Sequence, residues 1–152
     1  MSASHPAESA ATQSDPSQAA HGLAGVHVLI AEDSPDQRRV YAELLRQAGA
    51  DVTLECNAQS AVDSVSKLPP VFDAIILDIL ASYADSVDAA RDLRALGYEG
   101  AIIALTADHS KELRHACFQA GCDACLDKPF TQANFIEAIQ LHTAASHSNR
   151  RL

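Results

Sequence analysis

The stretch AIILDI, residues 74–79, decides the fold of this chain. Ile75, Ile76 and Leu77 form a continuous apolar run that leads directly into the carboxylate of Asp78. A run without polar alternation is typical of a parallel strand that helices cover on both faces. The stretch AIIALT, residues 101–106, has the same character. These runs predict the buried centre of a parallel sheet, and they raise the question of why one of them ends in a charged residue.

Strand-length apolar runs alternate with helical periodicity five times along the chain. The predicted strands are VHVLI (26–30), DVTLEC (51–56), FDAIILD (72–78), AIIALT (101–106) and DACLD (123–127). The predicted helices cover residues 35–49, 57–68, 85–96, 110–120 and 131–145. This alternation predicts an α/β fold, (βα)5, with a doubly wound five-stranded parallel sheet.

Capping residues define most of the helix ends. Asn57 and Thr131 are expected N-caps of the second and fifth helices, and Gly121 is expected to end the fourth. The third helix is expected to be capped by Asp85 or Ser86.

The composition excludes several classes of function. The net charge is -9, and nucleic acids and anionic lipids need clustered Lys and Arg. No apolar run approaches the roughly 18 residues of a transmembrane helix, and the N-terminus lacks the pattern of a signal peptide. We therefore expect a cytoplasmic protein that binds neither nucleic acid nor membrane.

The chain divides into one domain and two tails. Residues 1–24 are rich in Ala, Ser, Gln and Pro without an apolar period, which predicts a disordered tail. Residues 25–145 form the predicted domain, and residues 146–152 a flexible C-terminal tail. No output domain is expected, because the few remaining residues cannot fold into one.

Four cysteines leave two interpretations open. Cys122 and Cys125 form a C-x-x-C pair, near Cys117 and His115. Zinc would require two further ligands at a suitable spacing, and no second paired motif is present. The simpler interpretation is that these thiols, like Cys56, are reduced and packed.

The residues that follow the predicted strands carry the chemistry. They are Glu32 and Asp33 after the first strand, Asp78 after the third, Thr106 after the fourth, and Lys128 and Pro129 after the fifth. In an open parallel sheet, ligands bind beyond the carboxyl ends of the strands. Clustered carboxylates need a cation, and oxygen ligands with room for water suit Mg²⁺. Such a site could receive a phosphoryl group, with a carboxylate as nucleophile and the lysine neutralising the phosphoryl oxygens.

The domain resembles the receiver domain of two-component response regulators. The resemblance covers Val26 to Ala144 and rests on VLIAEDSPDQRRV, AIILDI, RALGYEGAIIALTA and AGCDACLDKPF. The later stretches resemble receivers attached to hybrid histidine kinases in particular. The order and spacing of four strand ends agree with the family. The resemblance implies a flavodoxin-like sheet with the strand order 2-1-3-4-5.

The resemblance also implies a role for each site residue. Asp78 would be phosphorylated and would hold Mg²⁺ together with Glu32, Asp33 and the backbone carbonyl of Leu80. Glu32 stands where the family more often has aspartate.

Two further side chains would bind the phosphoryl group. Thr106 would hydrogen-bond it and move when it arrives, and Lys128 would pair with it. The Lys128–Pro129 peptide bond would be cis.

Several positions depart from the family pattern. Ala81, Ser82 and Ser86 replace the usual Met-Pro and glycine after the acceptor, which predicts a different path for that loop. Cys125 replaces the aromatic residue that usually turns inward when the threonine moves. The coupling of Thr106 to this switch position is therefore expected to be weakened or replaced.

Two more positions influence how water reaches the phosphoaspartate in this family. They are Leu80, which could slow hydrolysis, and Asp108, which could act either way.

The resemblance predicts a receiver in a phosphorelay rather than an enzyme with a separate substrate. It would be a stand-alone receiver or one cut from a hybrid kinase. The donor would be a sensor histidine kinase or a histidine phosphotransfer protein. Output to an unknown downstream protein, or a homodimer, would use the face of the fourth helix, fifth strand and fifth helix, near Arg114, His115, Cys125 and Asp127.

Two alternatives belong to other classes. The first is a pseudo-receiver that binds partners without phosphorylation. The second is an aspartyl phosphatase of the dehalogenase type, which we discount because Leu80 stands where those enzymes carry a second aspartate.

Overall fold

Five strands alternate with five helices in the computed structural model, which describes residues 22–67, 72–79 and 83–151. The elements are β1 (His27–Ala31), α1 (Pro35–Gln47), β2 (Asp51–Glu55), α2 (Ala58–Lys67), β3 (Ala74–Ile79), α3 (Tyr83–Ala95), β4 (Ala101–Thr106), α4 (Lys111–Ala120), β5 (Ala124–Asp127) and α5 (Gln132–Arg151). The predicted α/β class is confirmed.

All strand pairs of the sheet are parallel, and the strand order is β2-β1-β3-β4-β5. This order confirms the arrangement that the sequence implied. Strand β3 lies at the centre, between β1 and β4, and all of its residues are buried. The central strand therefore ends inside the molecule, with Asp78 next to its last residue.

Alternation along the strands divides the core into two layers. Ile75 and Leu77 of β3 pack against α2, α3 and α4 on one face of the sheet. Ala74 and Ile76 pack against α1 and α5 on the other face. A residue at an even position of β3 consequently faces α1 and α5, and this rule positions the functional site.

Three of the expected caps are present. Asn57 Oδ1 accepts the Ser60 N–H at 2.8 Å, and Thr131 Oγ1 accepts the Asn134 N–H at 3.0 Å. Gly121 ends α4 with a φ of 115°, a left-handed conformation that glycine adopts without steric cost.

The predicted start of α3 was wrong. The helix begins at Tyr83, so Asp85 lies in its first turn and Ser86 is buried inside it. A carboxylate is favourable both at the N-cap and in the first turn, so the presence of Asp85 did not distinguish the two positions.

The folded part extends past both ends of the predicted domain. Leu23 is fully buried in the layer with α1 and α5, and its N–H donates to the Ala48 carbonyl at 2.8 Å. The remainder of the tail that we predicted to be disordered, residues 1–21, lies outside the described residues. Helix α5 continues to Arg151, whereas we expected it to end near residue 145.

None of the helices in the described ranges is long and apolar enough to cross a bilayer.

Replacing Leu45 by alanine should test the layer that α1 forms with the sheet. Its side chain is fully buried, so truncation should lower the free energy of unfolding by about 2–5 kcal/mol. Leu141→Ala is the matched control, because this leucine is also helical but 66% exposed, and its change should stay below about 0.5 kcal/mol. Urea unfolding measures both, and equal losses would contradict the assigned core.

Candidate functional site

Three charged side chains reach the same face of the sheet at its carboxyl edge. Strand alternation puts Glu32 on the side of Ile30, and Asp78 on the side of Ile76. Lys128 follows Leu126 in the same way after β5. All three therefore face the layer of α1 and α5, which is why side chains distant in the sequence meet there.

Asp78 and Lys128 form an ion pair at the end of the central strand. The Lys128 Nζ lies 2.7 Å from Oδ2 and 2.9 Å from Oδ1 of Asp78. The Asp78 side chain is 1% exposed and that of Lys128 is 22% exposed. A carboxylate so deeply buried needs a charged partner, and removing that partner would leave an uncompensated charge.

Tyr41 of α1 also contacts the Asp78 carboxylate, which the sequence did not indicate. Its hydroxyl lies 3.3 Å from Oδ2 of Asp78 and 3.0 Å from Oε1 of Gln37. Burial and the neighbouring charges of Asp78 and Glu32 raise the pKa of the Tyr41 hydroxyl above its ordinary value. The hydroxyl therefore stays protonated and acts as a donor.

Glu32 is almost fully buried, at 3% exposure. Its Oε1 accepts the Ser34 N–H at 3.0 Å, while its buried Oε2 has no hydrogen-bond partner among the described residues. Burial, followed by the proximity of the Asp78 carboxyl, raises the pKa of Glu32 to about 7. The Ser34 N–H and the Lys128 ammonium oppose this rise. A proton or a cation between the two carboxyl groups would relieve their repulsion.

The pair of Glu32 and Asp78 suits a magnesium ion. The unpartnered Oε2 of Glu32 offers a free oxygen ligand beside a second carboxylate. Mg²⁺ keeps several waters and commonly takes only one or two carboxylates, so two are sufficient. Asp33 is exposed, and the described residues contain no group of three His, Cys, Asp or Glu side chains that could hold a metal. Leu80, whose carbonyl was also expected to be a ligand, lies outside the described residues.

Thr106 ends β4 on the opposite face of the sheet from Asp78. It follows Ile102 and Ala104, which pack against the layer of α2, α3 and α4. Its hydroxyl accepts the Asp108 N–H at 2.9 Å and donates to the Asp108 carbonyl at 3.2 Å. The structure therefore directs the Thr106 hydroxyl to its own loop and not to Asp78.

Asp108 has a structural role in that loop. Its Oδ1 accepts the Ser110 N–H at 2.8 Å, and the hydrogen bonds from Ser110 lower the pKa of the Asp108 carboxyl. Ser110, which makes this contact, is the N-cap residue of α4.

Cys125 lies on the same face as Thr106, in a cluster of free thiols. It packs with the buried Cys117 and Cys122. A hydrogen bond with Cys122 and burial raise the pKa of Cys117 to about 11, and a hydrogen bond with Cys117 and burial raise that of Cys125. Thiols with a raised pKa are weak nucleophiles. The structure thus favours packed thiols over a redox pair.

Hydrogen bonds from one arginine connect α4 to β5 at the surface. Arg114 donates to both carboxylate oxygens of Asp127 at 2.8 Å and to the Cys125 carbonyl at 3.3 Å. His115, the neighbouring residue, is exposed.

Two backbone features lie close to Asp78 and Lys128. The Lys128–Pro129 peptide bond is cis, the isomer that the resemblance implies. The Ser86 hydroxyl lies 3.5 Å from the backbone carbonyl of Asp78, at the long limit of a hydrogen bond. Ala81 and Ser82, the other departures in that loop, lie outside the described residues.

An open groove of about 600 Å³ borders the site. It runs between α1 and the segment that links β5 to α5. Its lining consists of Asp36, Gln37, Val40, Tyr41, Leu44, Ala107, Lys128, Pro129 and Phe130. Two of these residues, Tyr41 and Lys128, also contact Asp78. The groove therefore lies next to the Asp78 carboxylate, on the far side of these two side chains.

Comparison with known proteins gives a consistent picture. The response regulator receiver domain family matches residues 28–140. The chain is 35% identical over 115 residues to the transcriptional regulatory protein PdtaR of Mycobacterium tuberculosis. The match covers 75% of this chain and 55% of that protein. It is also 29% identical over 118 residues to the sensory/regulatory protein RpfC of Xanthomonas campestris. That match covers 75% of this chain and 16% of the relative. The chain thus spans about half, or less, of the length of these two relatives.

A solved structure shows the same fold. The receiver domain of the sensor histidine kinase PA1611 from Pseudomonas aeruginosa is 35% identical, with a TM-score of 0.70. The match covers 80% of this chain and 99% of that one. In that protein a magnesium ion is coordinated in the active-site cleft.

Replacing Glu32 by glutamine should change the pH dependence of stability in the metal-free protein. The carboxyl has a pKa of about 7 when folded and 4.5 as its ordinary value, so its contribution is complete below pH 4.5 and is lost as the pH rises through 7. Glu32→Gln should therefore gain stability relative to the wild type between about pH 5 and about pH 8, on the order of 2 kcal/mol.

Urea unfolding with a chelator present measures this difference. Glu43→Gln, at an exposed position of α1, is the control and should show no such change between the two pH values. A difference between Glu32→Gln and wild type that does not vary with pH would contradict the raised pKa.

Proposed function

Because the chain belongs to the response regulator receiver domain family, we propose that it accepts a phosphoryl group on Asp78 from a phosphohistidine. The observation that carries the proposal is the buried Asp78 carboxylate, with both oxygens within 3 Å of the Lys128 ammonium. This is a carboxylate positioned to react, beside a cation positioned to neutralise a phosphoryl group. The chain would turn over only its own phosphoryl group and no separate substrate.

The transfer exchanges one bond to phosphorus for another. An oxygen of Asp78 attacks the phosphorus, the N–P bond of the donor histidine breaks, and its electron pair returns to the imidazole. Lys128 stays beside the reacting oxygens, where a fixed positive charge stabilises the spread of negative charge in the transition state.

The proposed cofactor is Mg²⁺, held by Glu32, Asp33, Asp78 and the backbone carbonyl of Leu80. It would supply a second positive charge against the phosphoryl oxygens. The free oxygen of Glu32 supports this assignment, as does the magnesium site of the PA1611 receiver. Asp33 is exposed in this structure and would need to turn inward to join the ligands.

Thr106 and Cys125 would carry the signal away from the site. The Thr106 hydroxyl would leave the backbone of Asp108 to bind the phosphoryl group, which biases a two-state equilibrium. Output, or homodimer formation, would use the face of α4, β5 and α5, where Arg114 pairs with Asp127. Cys125 is too small to occupy the space of an aromatic ring, so the internal readout must differ from the usual one.

The groove beside α1 is our proposed contact for the phosphodonor. The donor is a sensor histidine kinase or a histidine phosphotransfer protein, and its histidine must come within bonding distance of Asp78. Val40 is 53% exposed in the groove, near Leu44 and Phe130. An exposed apolar patch of this kind, next to a reactive group, is typical of a partner site.

Incubation with Mg²⁺ and a small acyl phosphate should add one phosphoryl group to the protein. Asp78→Asn should abolish the addition, because an amide oxygen is a poor nucleophile. Asp88→Asn, an exposed aspartate of α3, should leave it unchanged. Intact-protein mass spectrometry measures the product.

The same experiment decides against the alternative of a receiver that is never phosphorylated. No mass gain, with no Mg²⁺ affinity, would identify the chain as an interaction module and refute the proposal. A gain that persists in Asp78→Asn would move the acceptor to another residue.

Val40→Asp should separate donor binding from the chemistry. A charge in the groove should slow transfer from a phosphohistidine donor protein that phosphorylates the wild type by about tenfold or more. Phosphorylation by the small acyl phosphate should change by less than about twofold, because that donor needs no groove. Leu96→Asp, also at an exposed apolar position, is the matched control. Equal effects on both donors would refute the assigned contact.

A further inference from the structure

We propose that Tyr41 takes part in the phosphoryl chemistry: its hydroxyl stabilises the free carboxylate of Asp78 and shortens the lifetime of the aspartyl phosphate. The inference rests on the proposed phosphorylation of Asp78 and adds to it a residue that limits how long the signal lasts.

The two oxygens of the acceptor are not equivalent. Oδ2 accepts from the Tyr41 hydroxyl at 3.3 Å and lies 2.7 Å from the Lys128 ammonium. Oδ1 accepts from Lys128 at 2.9 Å. Tyr41 bonds Oδ2 and leaves Oδ1 as the oxygen without this contact, so in the proposal Oδ1 forms the bond to phosphorus. Oδ2 would then become the carbonyl oxygen of the acyl phosphate and keep Tyr41 as a neighbour.

Packing holds the Tyr41 hydroxyl in place. Its ring lies 6.0 Å from that of Phe130 and 5.7 Å from that of Phe135, and these two rings are 5.0 Å apart. Phe135 is fully buried, so the cluster is anchored in the core. A phenol hydroxyl is protonated at neutral pH, so the held hydroxyl can donate to Asp78.

A donor of this kind favours the unphosphorylated state. Hydrogen bonds to a charged carboxylate are stronger than those to a neutral carbonyl oxygen. In hydrolysis a water oxygen bonds to phosphorus, the O–P bond to Asp78 breaks, and the electron pair returns to the carboxylate. The water proton leaves with the phosphate product. Negative charge grows on the departing carboxylate, and Tyr41 stabilises that charge at Oδ2.

Gln37 competes with Asp78 as the acceptor of the Tyr41 hydroxyl proton. Its Oε1 lies 3.0 Å from the hydroxyl, which is closer than Oδ2 of Asp78. The Gln37 side chain lies one helical turn before Tyr41 and is exposed. Its removal would leave the Asp78 carboxylate as the remaining acceptor.

The test is the lifetime of the phosphorylated protein. Wild type and Tyr41→Phe are phosphorylated with a small acyl phosphate and Mg²⁺, freed of donor by gel filtration, and followed by intact-protein mass spectrometry. Phenylalanine keeps the ring and its packing but lacks the hydroxyl. The lifetime should lengthen by about fivefold, the difference between a hydrogen bond to a charged and to a neutral acceptor.

Tyr98→Phe is the matched control. Its hydroxyl is also buried, and it bonds the Phe72 carbonyl at 3.0 Å, beside the amino-terminal ends of β3 and β4. It should lose stability without a change in phosphoryl lifetime. An unchanged lifetime in Tyr41→Phe, or the same change in Tyr98→Phe, would overturn the inference while leaving the proposed function intact. Absence of phosphorylation in the wild type would overturn both.

Gln37→Met supplies a variant with the opposite sign. Without the competing acceptor, the hydroxyl should bond Asp78 more fully and the phosphoryl lifetime should shorten. General destabilisation cannot lengthen the lifetime in one variant and shorten it in the other. A longer lifetime in Gln37→Met would overturn the sharing of the Tyr41 proton on which the inference depends.

Discussion

The ion pair between Asp78 and Lys128 is the interaction on which the rest of the site depends. A carboxylate at the end of a central parallel strand cannot reach water freely, and burying its charge is costly without a partner. The lysine supplies that partner from the end of β5, two strands away in the sheet. The same pairing that makes the buried charge tolerable also places a cation where a phosphoryl group would arrive.

The sheet separates the residues proposed to accept the phosphoryl group from those proposed to transmit the signal. Glu32, Asp78 and Lys128 lie on the face of α1 and α5, next to the groove that Lys128 helps to line. Cys125 packs on the other face, in the layer of α2, α3 and α4, and strand alternation places Thr106 on that face after Ala104. In the proposed function, a phosphoryl group on Asp78 would lie at the edge between the two faces and would connect them through its contact with Thr106.

The aromatic residues near the site lie on the face of α1 and α5, not on the face of Cys125. The position on β5 that usually carries an aromatic ring holds a small thiol, Cys125, packed among other thiols. Three rings cluster on the opposite face instead, where Tyr41 contacts the Asp78 carboxylate and packs with Phe130 and Phe135. The contact between Asp78 and an aromatic residue is therefore made by Tyr41 of α1, which packs against Phe135 of α5.

The sequence by itself determined the elements, their order and the chemical groups at the strand ends, because apolar periodicity and capping are local properties. Asp78 and Lys128 could be expected to meet, since parallel strands end at one edge. The inward direction of Glu32, the turn of Thr106 toward its own loop and the contact of Tyr41 with Asp78 were decided only by the tertiary structure. Tyr41 and Asp78 are 37 residues apart, and their distance depends on how α1 packs across the sheet, which no local pattern encodes.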